Sequence, residues 1–159
     1  MLVKEVMKKD LVTVGRSTML RELIEQLQDF HTFPLVPVVE EDNRLIGTVS
    51  FNNLLNIFQP YESSLIRAIP FLEREEVDIF ELEISPEMAT LIVVDDIMET
   101  NVLTVSEEDT LEKAYNLMKL HSIDRLPVID RKNTLVGMIG VFDILVALFK
   151  EKGIIEGSY

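Results

Sequence analysis

Apolar residues recur at steps of three and four through Leu20, Leu23, Ile24, Leu27 and Phe30, the stripe of an amphipathic helix. Ser17 or Thr18 is placed to cap it, accepting bonds from its free first-turn amides. Upstream, Leu11-Val12-Thr13-Val14 predicts a short strand. Downstream, Leu35 to Val39 is a continuous apolar run that contains Pro37. Glu41-Asp42-Asn43-Arg44 is a polar turn in which Asn43 tolerates positive φ. Leu45 to Val49 is a second strand, so the pair predicts a hairpin. The proline argues for an edge strand, or for a position where its missing N–H goes unused. A helix through Leu54, Leu55, Ile57 and Phe58 completes the order strand, helix, strand, strand, helix.

The same pattern then returns. Val36-Pro37-Val38-Val39-Glu40, Asn43, Leu45-Ile46-Gly47 and Asn53 fall, ninety positions on, at Leu126-Pro127-Val128-Ile129-Asp130, Asn133, Leu135-Val136-Gly137 and Asp143. Val6-Met7, Thr13-Val14 and Leu20 recur ninety-one positions on at Ile97-Met98, Thr104-Val105 and Leu111. A unit of about fifty-five residues is therefore written twice, the signature of a repeat architecture. The second helical stripe is Leu111, Ala114, Tyr115, Leu117/Met118 and His121, with Asp109 and Glu112 at capping-box spacing. Its last helix carries Ile144, Leu145, Ala147 and Leu148. Met7 and Met98, a matched pair, are expected where the units meet.

The boundaries read as unit one over 2–58, a linker over 59–92, unit two over 93–149 and a tail over 150–159. In the linker, Tyr61 to Ile69 is helix-like, and Pro70 ends or kinks it. Val77 to Ile84 fits strand or helix equally. Ser85-Pro86-Glu87 is a helix start, and Leu91 to Val94 leads into unit two as a strand. A connection this long is expected to be ordered, and the charged tail after Phe149 to fray.

A unit of this size buries too little of its surface to be comfortably stable alone. Two copies packed together, in a chain of 159 residues with 47% hydrophobic content, make one pseudo-symmetric body. The formal charge of −13 argues against nucleic acid and against anionic membrane surfaces. Ten acids and one base between Glu73 and Glu99 hold net −9 of it, read as a solvated face. With no cysteine, disulfides, thiolate metal sites and cysteine nucleophiles are excluded. No apolar run approaches the roughly 18 residues of a membrane span, and Met1-Leu2-Val3-Lys4-Glu5 lacks the apolar core of a signal peptide. The expectation is a soluble cytoplasmic protein.

Val94-x-x-Ile97-Met98, Thr104-Val105, Leu126-Pro127-Val128-Ile129-Asp130, Asn133 and Leu135-Val136-Gly137-Met138-Ile139-Gly140-x-x-Asp143, with their earlier counterparts, resemble a tandem pair of CBS domains, the modules named after cystathionine β-synthase. The resemblance covers both units. It implies an α+β (α/β) fold of two β-α-β-β-α units packed sheet to sheet around a pseudo-two-fold axis, joined by a long, partly helical linker. It further implies a flat homodimer and clefts for adenosine compounds such as AMP, ADP, ATP or S-adenosylmethionine, as regulatory ligands rather than required cofactors.

The family's ligand signature is Gly-x-x-(Thr/Ser)-x-x-Asp at the start of each unit's last helix. The aspartate accepts from both ribose hydroxyls, while the helix N-terminus faces phosphate. Unit one keeps the hydroxyl at Ser50 but has Asn53 for the aspartate, and an amide oxygen is a poorer double acceptor. Unit two keeps Asp143 but has Gly140 for the hydroxyl. The resemblance places one cleft at Gly137, Gly140, Phe142 and Asp143, with Arg125 facing phosphate, and a weaker second site at Ser50 and Asn53. The pseudo-symmetry brings Phe33, Pro34 and Leu35 against the adenine, with Thr13 and Thr18 near the rim. The plainer alternatives are that Asp143 caps its helix, worth about 1 kcal/mol, and that Arg125 pairs with Asp124 or Asp130.

His31 and His121 stand at matching helix ends, where a cationic or hydrogen-bonding histidine suits the dipole. No Gly-x-x-x-x-Gly-Lys loop or Gly-x-Ser-x-Gly elbow occurs, and no carboxylates form a recognisable catalytic frame. The expected function is a non-enzymatic sensor of an adenosine compound, signalling to a separate effector protein. The alternative is a ligand-free dimerisation or scaffold module. No metal site is expected.

Overall fold

The computed structural model describes residues 1–58 and 78–157. The helix expected over Tyr61–Ile69 and the break at Pro70 lie outside the described residues.

In the first unit, helix α2 (Leu20–Leu27) precedes strands β1 (Val36–Val39) and β2 (Leu45–Val49) and helix α3 (Phe51–Asn56). In the second, β3 (Val105–Ser106), α6 (Leu111–Leu120), β4 (Arg125–Ile129), β5 (Leu135–Gly140) and α7 (Val141–Glu151) repeat that order. Before each unit comes one turn of helix, α1 (Val3–Val6) and α5 (Val94–Ile97). The linker contributes a 3₁₀ turn (Ile79–Glu81) and α4 (Pro86–Leu91). Both hairpins are antiparallel, with a register shift before the last ladder pair, between Val38 and Val39 in one and between Val128 and Ile129 in the other. β3 runs parallel to β4.

The apolar periodicities fold as helices with one buried face: Leu20, Leu23 and Leu27 on α2, and Leu111, Ala114 and Met118 on α6. Several local expectations need correction. The strand expected at Leu11–Val14 shrinks to a single bridge from Val14 to Val38, while its counterpart at 105–106 is a true strand. Neither Ser17 nor Thr18 caps α2; Met19 stands at that position, Thr18 Oγ1 accepts from Gly15 N, and Leu20 N donates to Ile92 O at 2.8 Å. A neighbouring backbone thus does the work of a side-chain cap. On α6 the cap is Thr110, accepting from Lys113 N, one residue beyond the expected Asp109. Asp109 instead accepts from Ser106 N and from Lys113 Nζ. Leu91–Val94 is no strand; Val93 makes one bridge, to Met19, and α5 then begins. The described part of Val77–Ile84 is a single 3₁₀ turn, opened by the Asp78 side chain accepting from Phe80 N. The tail does not fray at Phe149. Gly153 at φ 69° closes α7, with Gly153 N donating to Lys150 O and Ile154 N to Phe149 O, the paired bonds of a Schellman end.

Two cores form, and each borrows from the other copy. Val3 and Met7 lie in the core of the second unit with Leu111, Met118, Leu126 and Ile139. Val94 and Ile97 lie in the core of the first with Leu20, Leu23, Val36 and Val49. Backbone bonds fix the exchange: Val3 N to Asp109 O and Lys4 N to Glu107 O on one side, Val94 N to Thr18 O and Asp95 N to Arg16 O on the other. Lys8 then pairs with Met138 on β5, and Glu99 with Thr48 on β2. These crossing segments pass so close that a Cβ on Gly137 would lie 2.7 Å from Met7 Sδ and 2.8 Å from Lys8 O, and one on Gly47 would lie 2.9 Å from Glu99 O and Met98 Sδ.

At the pseudo-axis the two hairpin turns interlock. Asn43 and Asn133 both adopt φ 63°. Leu45 N donates to Asn133 O and Leu135 N to Asn43 O, while the Asn43 and Asn133 side-chain amides donate to Leu135 O and Leu45 O. Pro127, fully buried, sits in a middle strand; β3 meets β4 only from Val128 onward, so the proline's absent N–H faces no ladder partner.

Gly137→Ala and Gly47→Ala should each lower stability by about 1–3 kcal/mol, the range for overpacking against backbone. Urea unfolding checks this, and unchanged midpoints would contradict the close crossing.

Candidate functional site

Because each unit's last helix starts beside the other unit's crossing segment, two clefts open between the copies. The first, about 680 Å³, has Arg125 and Met138 to Asp143 on one wall and Asp10 to Val12, Phe30, Pro34 and Leu35 on the other. The second, about 820 Å³, has Ser50 to Asn53 facing Asn101 to Leu103 and Ser122 to Pro127. Pro34, Leu35, Asp124 and Arg125 line both, so the clefts share a partition near the pseudo-axis.

Of the residues singled out from the sequence, Asp143, Gly140, Phe142, Arg125, Pro34 and Leu35 stand together in the first cleft. Phe33, Ser50 and Asn53 stand in the second, where the Phe33 and Phe51 rings lie 5.9 Å apart. Gly137, Thr13 and Thr18 are in the lining of neither; Gly137 is covered by Met7 and Lys8. Asp10, Leu11, Val12 and Phe30 were missed. Shifting by ninety-one positions carries Asp10–Val12 onto Asn101–Leu103, which line the second cleft in the same way. The repeat held that signal.

At the first cleft, Gly140 ends β5 and precedes α7, and the β4–β5 register sets Arg125 opposite it. Asp143 Oδ2 accepts from Gly140 N at 2.8 Å, while Oδ1 lies 3.9 Å from Lys8 Nζ. The carboxylate therefore caps its helix and keeps acceptor capacity on Oδ1, with 21% of the side chain exposed. Phe142 is 74% exposed beside it. Arg125 is committed to its neighbour, Nε donating to Asp124 Oδ1 at 2.9 Å and Nη2 to Oδ2 at 3.4 Å. That bond holds the Asp124 carboxyl below its ordinary range, against a smaller upward push from burial.

At the second cleft the chemistry is closed. Asn53 Oδ1 accepts from both Ser50 N (2.8 Å) and Ser50 Oγ (2.9 Å), and Ser50 Oγ accepts from Asn53 N. Both acceptor positions of that amide oxygen are occupied. The two histidines are exposed, and His121 N closes α6 by donating to Leu117 O. Among the described residues no cluster of three His, Cys, Asp or Glu could hold a metal ion. None of the described helices is long and apolar enough to cross a membrane.

Exchanged leading turns, paired hairpins and two inter-copy clefts define a tandem-repeat module. The CBS domain family model matches residues 3–59 and 94–150, and the chain belongs to that family. A CBS domain-containing protein of Dictyostelium discoideum is 30% identical over 94% of this chain and 92% of its own. In fold, the chain is similar to CBSX2 in complex with AMP (TM-score 0.68, 22% identity, 95% of this chain and 98% of that one). It is similar as well to the CBS domain pair of protein MJ0100 in complex with 5′-methylthioadenosine and S-adenosyl-L-methionine (TM-score 0.62, 20% identity, 96% and 98%).

Asp124 should titrate below the ordinary aspartate value of 3.8 and move back up in Arg125→Ala, as carboxyl-carbon NMR would read. A lowered pKa contributes stability above the unfolded value, lost as pH falls through the folded one. With 73% of the Asp124 side chain exposed, that contribution is small. An Asp124 pKa indifferent to Arg125→Ala would contradict the pairing.

Proposed function

We propose that this protein is a regulatory sensor, not an enzyme, which takes an adenosine-containing ligand into the cleft around Asp143. The observation that carries this reading is a cleft with walls from both copies and a helix-edge carboxylate whose second oxygen has only the Lys8 ammonium, at 3.9 Å, beside it. Asp143 Oδ1 accepts from the ribose, Pro34 and Leu35 pack against the adenine, and Phe142 covers the open side. A ligand so held touches both copies and biases their relative orientation by no more than its difference in affinity for the two arrangements. The Ser50/Asn53 cleft is the weaker site, since its amide oxygen is already engaged. The CBSX2 and MJ0100 complexes support the ligand class.

Around this site we place unit one at 2–58, the linker at 59–92 and unit two at 93–149. The module works in the cytoplasm as a homodimer and acts on a separate effector protein. The exposed Leu145, Leu148 and Phe149 on α7 suit a helix-to-helix dimer contact. A ligand-free scaffold is the second reading, favoured by the capping bond that Asp143 already makes.

Calorimetric titration with AMP, ADP, ATP and S-adenosylmethionine decides between them. Binding of at least one is expected, weakened about tenfold or more by Asp143→Ala, which removes a charge-assisted contact, and little changed by Asn53→Ala. Silence with all four at millimolar ligand favours the scaffold; the reverse variant pattern moves the site to the second cleft.

A further inference from the structure

We infer that the Asp143 cleft selects adenosines that bear a sulfonium cation, the S-adenosyl class, over AMP and ATP. This rests on the adenosine reading above and adds the charge of the ligand to it.

A phosphate at a helix start needs free amides, a hydroxyl or a guanidinium. Here the first two of the helix-start amides are engaged, the hydroxyl is absent and the guanidinium is shared with a carboxylate. Gly140 N donates to Asp143 Oδ2, and Val141 N to the Asp124 carbonyl at 2.9 Å. Gly140 has no hydroxyl, and a Cβ there would stand 3.2 Å from the Asp124 carbonyl oxygen, so little room is left for one. The Arg125 guanidinium is held by Asp124 through two bonds. Lys8, the other cation at the edge, faces Asp143.

The cleft is instead lined by three carboxylates, Asp10, Asp124 and Asp143, against one guanidinium. A phosphorylated ligand would have to share Arg125 with Asp124, whose charge already offsets that of the guanidinium, and stand among the other carboxylates. A sulfonium meets the same carboxylates as an attractive field, within the distance over which physiological salt leaves charges coupled. Val12, Leu35 and Leu145 offer apolar surface for the alkyl groups on sulfur.

Calorimetric titration of the intact chain with S-adenosylmethionine, methylthioadenosine, AMP and ATP, at low and high salt, tests the inference. S-adenosylmethionine should bind at least about tenfold more tightly than ATP at low salt, roughly the effect of one or two close charge contacts, with methylthioadenosine between them. High salt should narrow the gap. Asp124→Ala, which releases Arg125 from an exposed position, should tighten ATP severalfold relative to S-adenosylmethionine. AMP or ATP binding as tightly as S-adenosylmethionine would overturn the selectivity and leave the adenosine reading intact. Equal affinity for methylthioadenosine and S-adenosylmethionine overturns the role of the cation. An unchanged ratio in Asp124→Ala overturns the role of the Asp124–Arg125 pair. Absence of binding by all four, methylthioadenosine included, removes the adenosine reading itself.

Discussion

The exchange of leading segments is the constraint on which the rest of the molecule depends. Val3 and Val94 are completely buried, each in the core of the copy that its own sequence does not otherwise build. Burying an aliphatic side chain of this size contributes about 1.5–3 kcal/mol, and the total stability of a small domain is only about 5–15 kcal/mol. Remove the borrowed residues and each core is left with a gap at its margin and unpaired amides at the start of its first long helix. The interlocked Asn43 and Asn133 turns then fix the relative position of two bodies that already share their cores.

The clefts follow from that exchange. Each crossing segment runs over one glycine of the other copy's last strand, Lys8 along β5 and Glu99 along β2. Residues just after the crossing, Asp10–Val12 and Asn101–Leu103, become walls facing the two helix starts. The scaffold is nearly symmetric but its chemistry is not. In one cleft a Ser–Asn pair satisfies itself; in the other Asp143 accepts from Gly140 N through one oxygen and has Lys8 Nζ 3.9 Å from the other. Arg125 takes the place occupied by Leu35 in the other copy, so the shared partition is cationic on one side and apolar on the other.

Much of this was legible in the chain itself. The ninety-residue shift exposed both units, the hairpins and the positive-φ asparagines, because a repeat states each element twice. It could not show which copy each leading turn would join, since Val3 and Val94 read alike whether they pack at home or across. The cap of α2 was misassigned for the same reason: its first amide is satisfied by Ile92, far away in sequence. Gly137 looked like part of a ligand loop, yet its lack of a Cβ is needed by Met7 and Lys8. Thr13 and Thr18 fell outside the clefts because the crossing segment, whose path is a tertiary fact, presents Asp10–Val12 instead.

Hydrogen exchange of Val94→Ala, followed by mass spectrometry of α2 and α6 peptides, tests the exchange most directly. Val94 belongs by sequence to the second copy, but its side chain fills the first. The account predicts that Leu20–Leu27 loses at least as much protection as Leu111–Leu120. Wild-type protection in Leu20–Leu27, with loosening confined to the second copy, would contradict it.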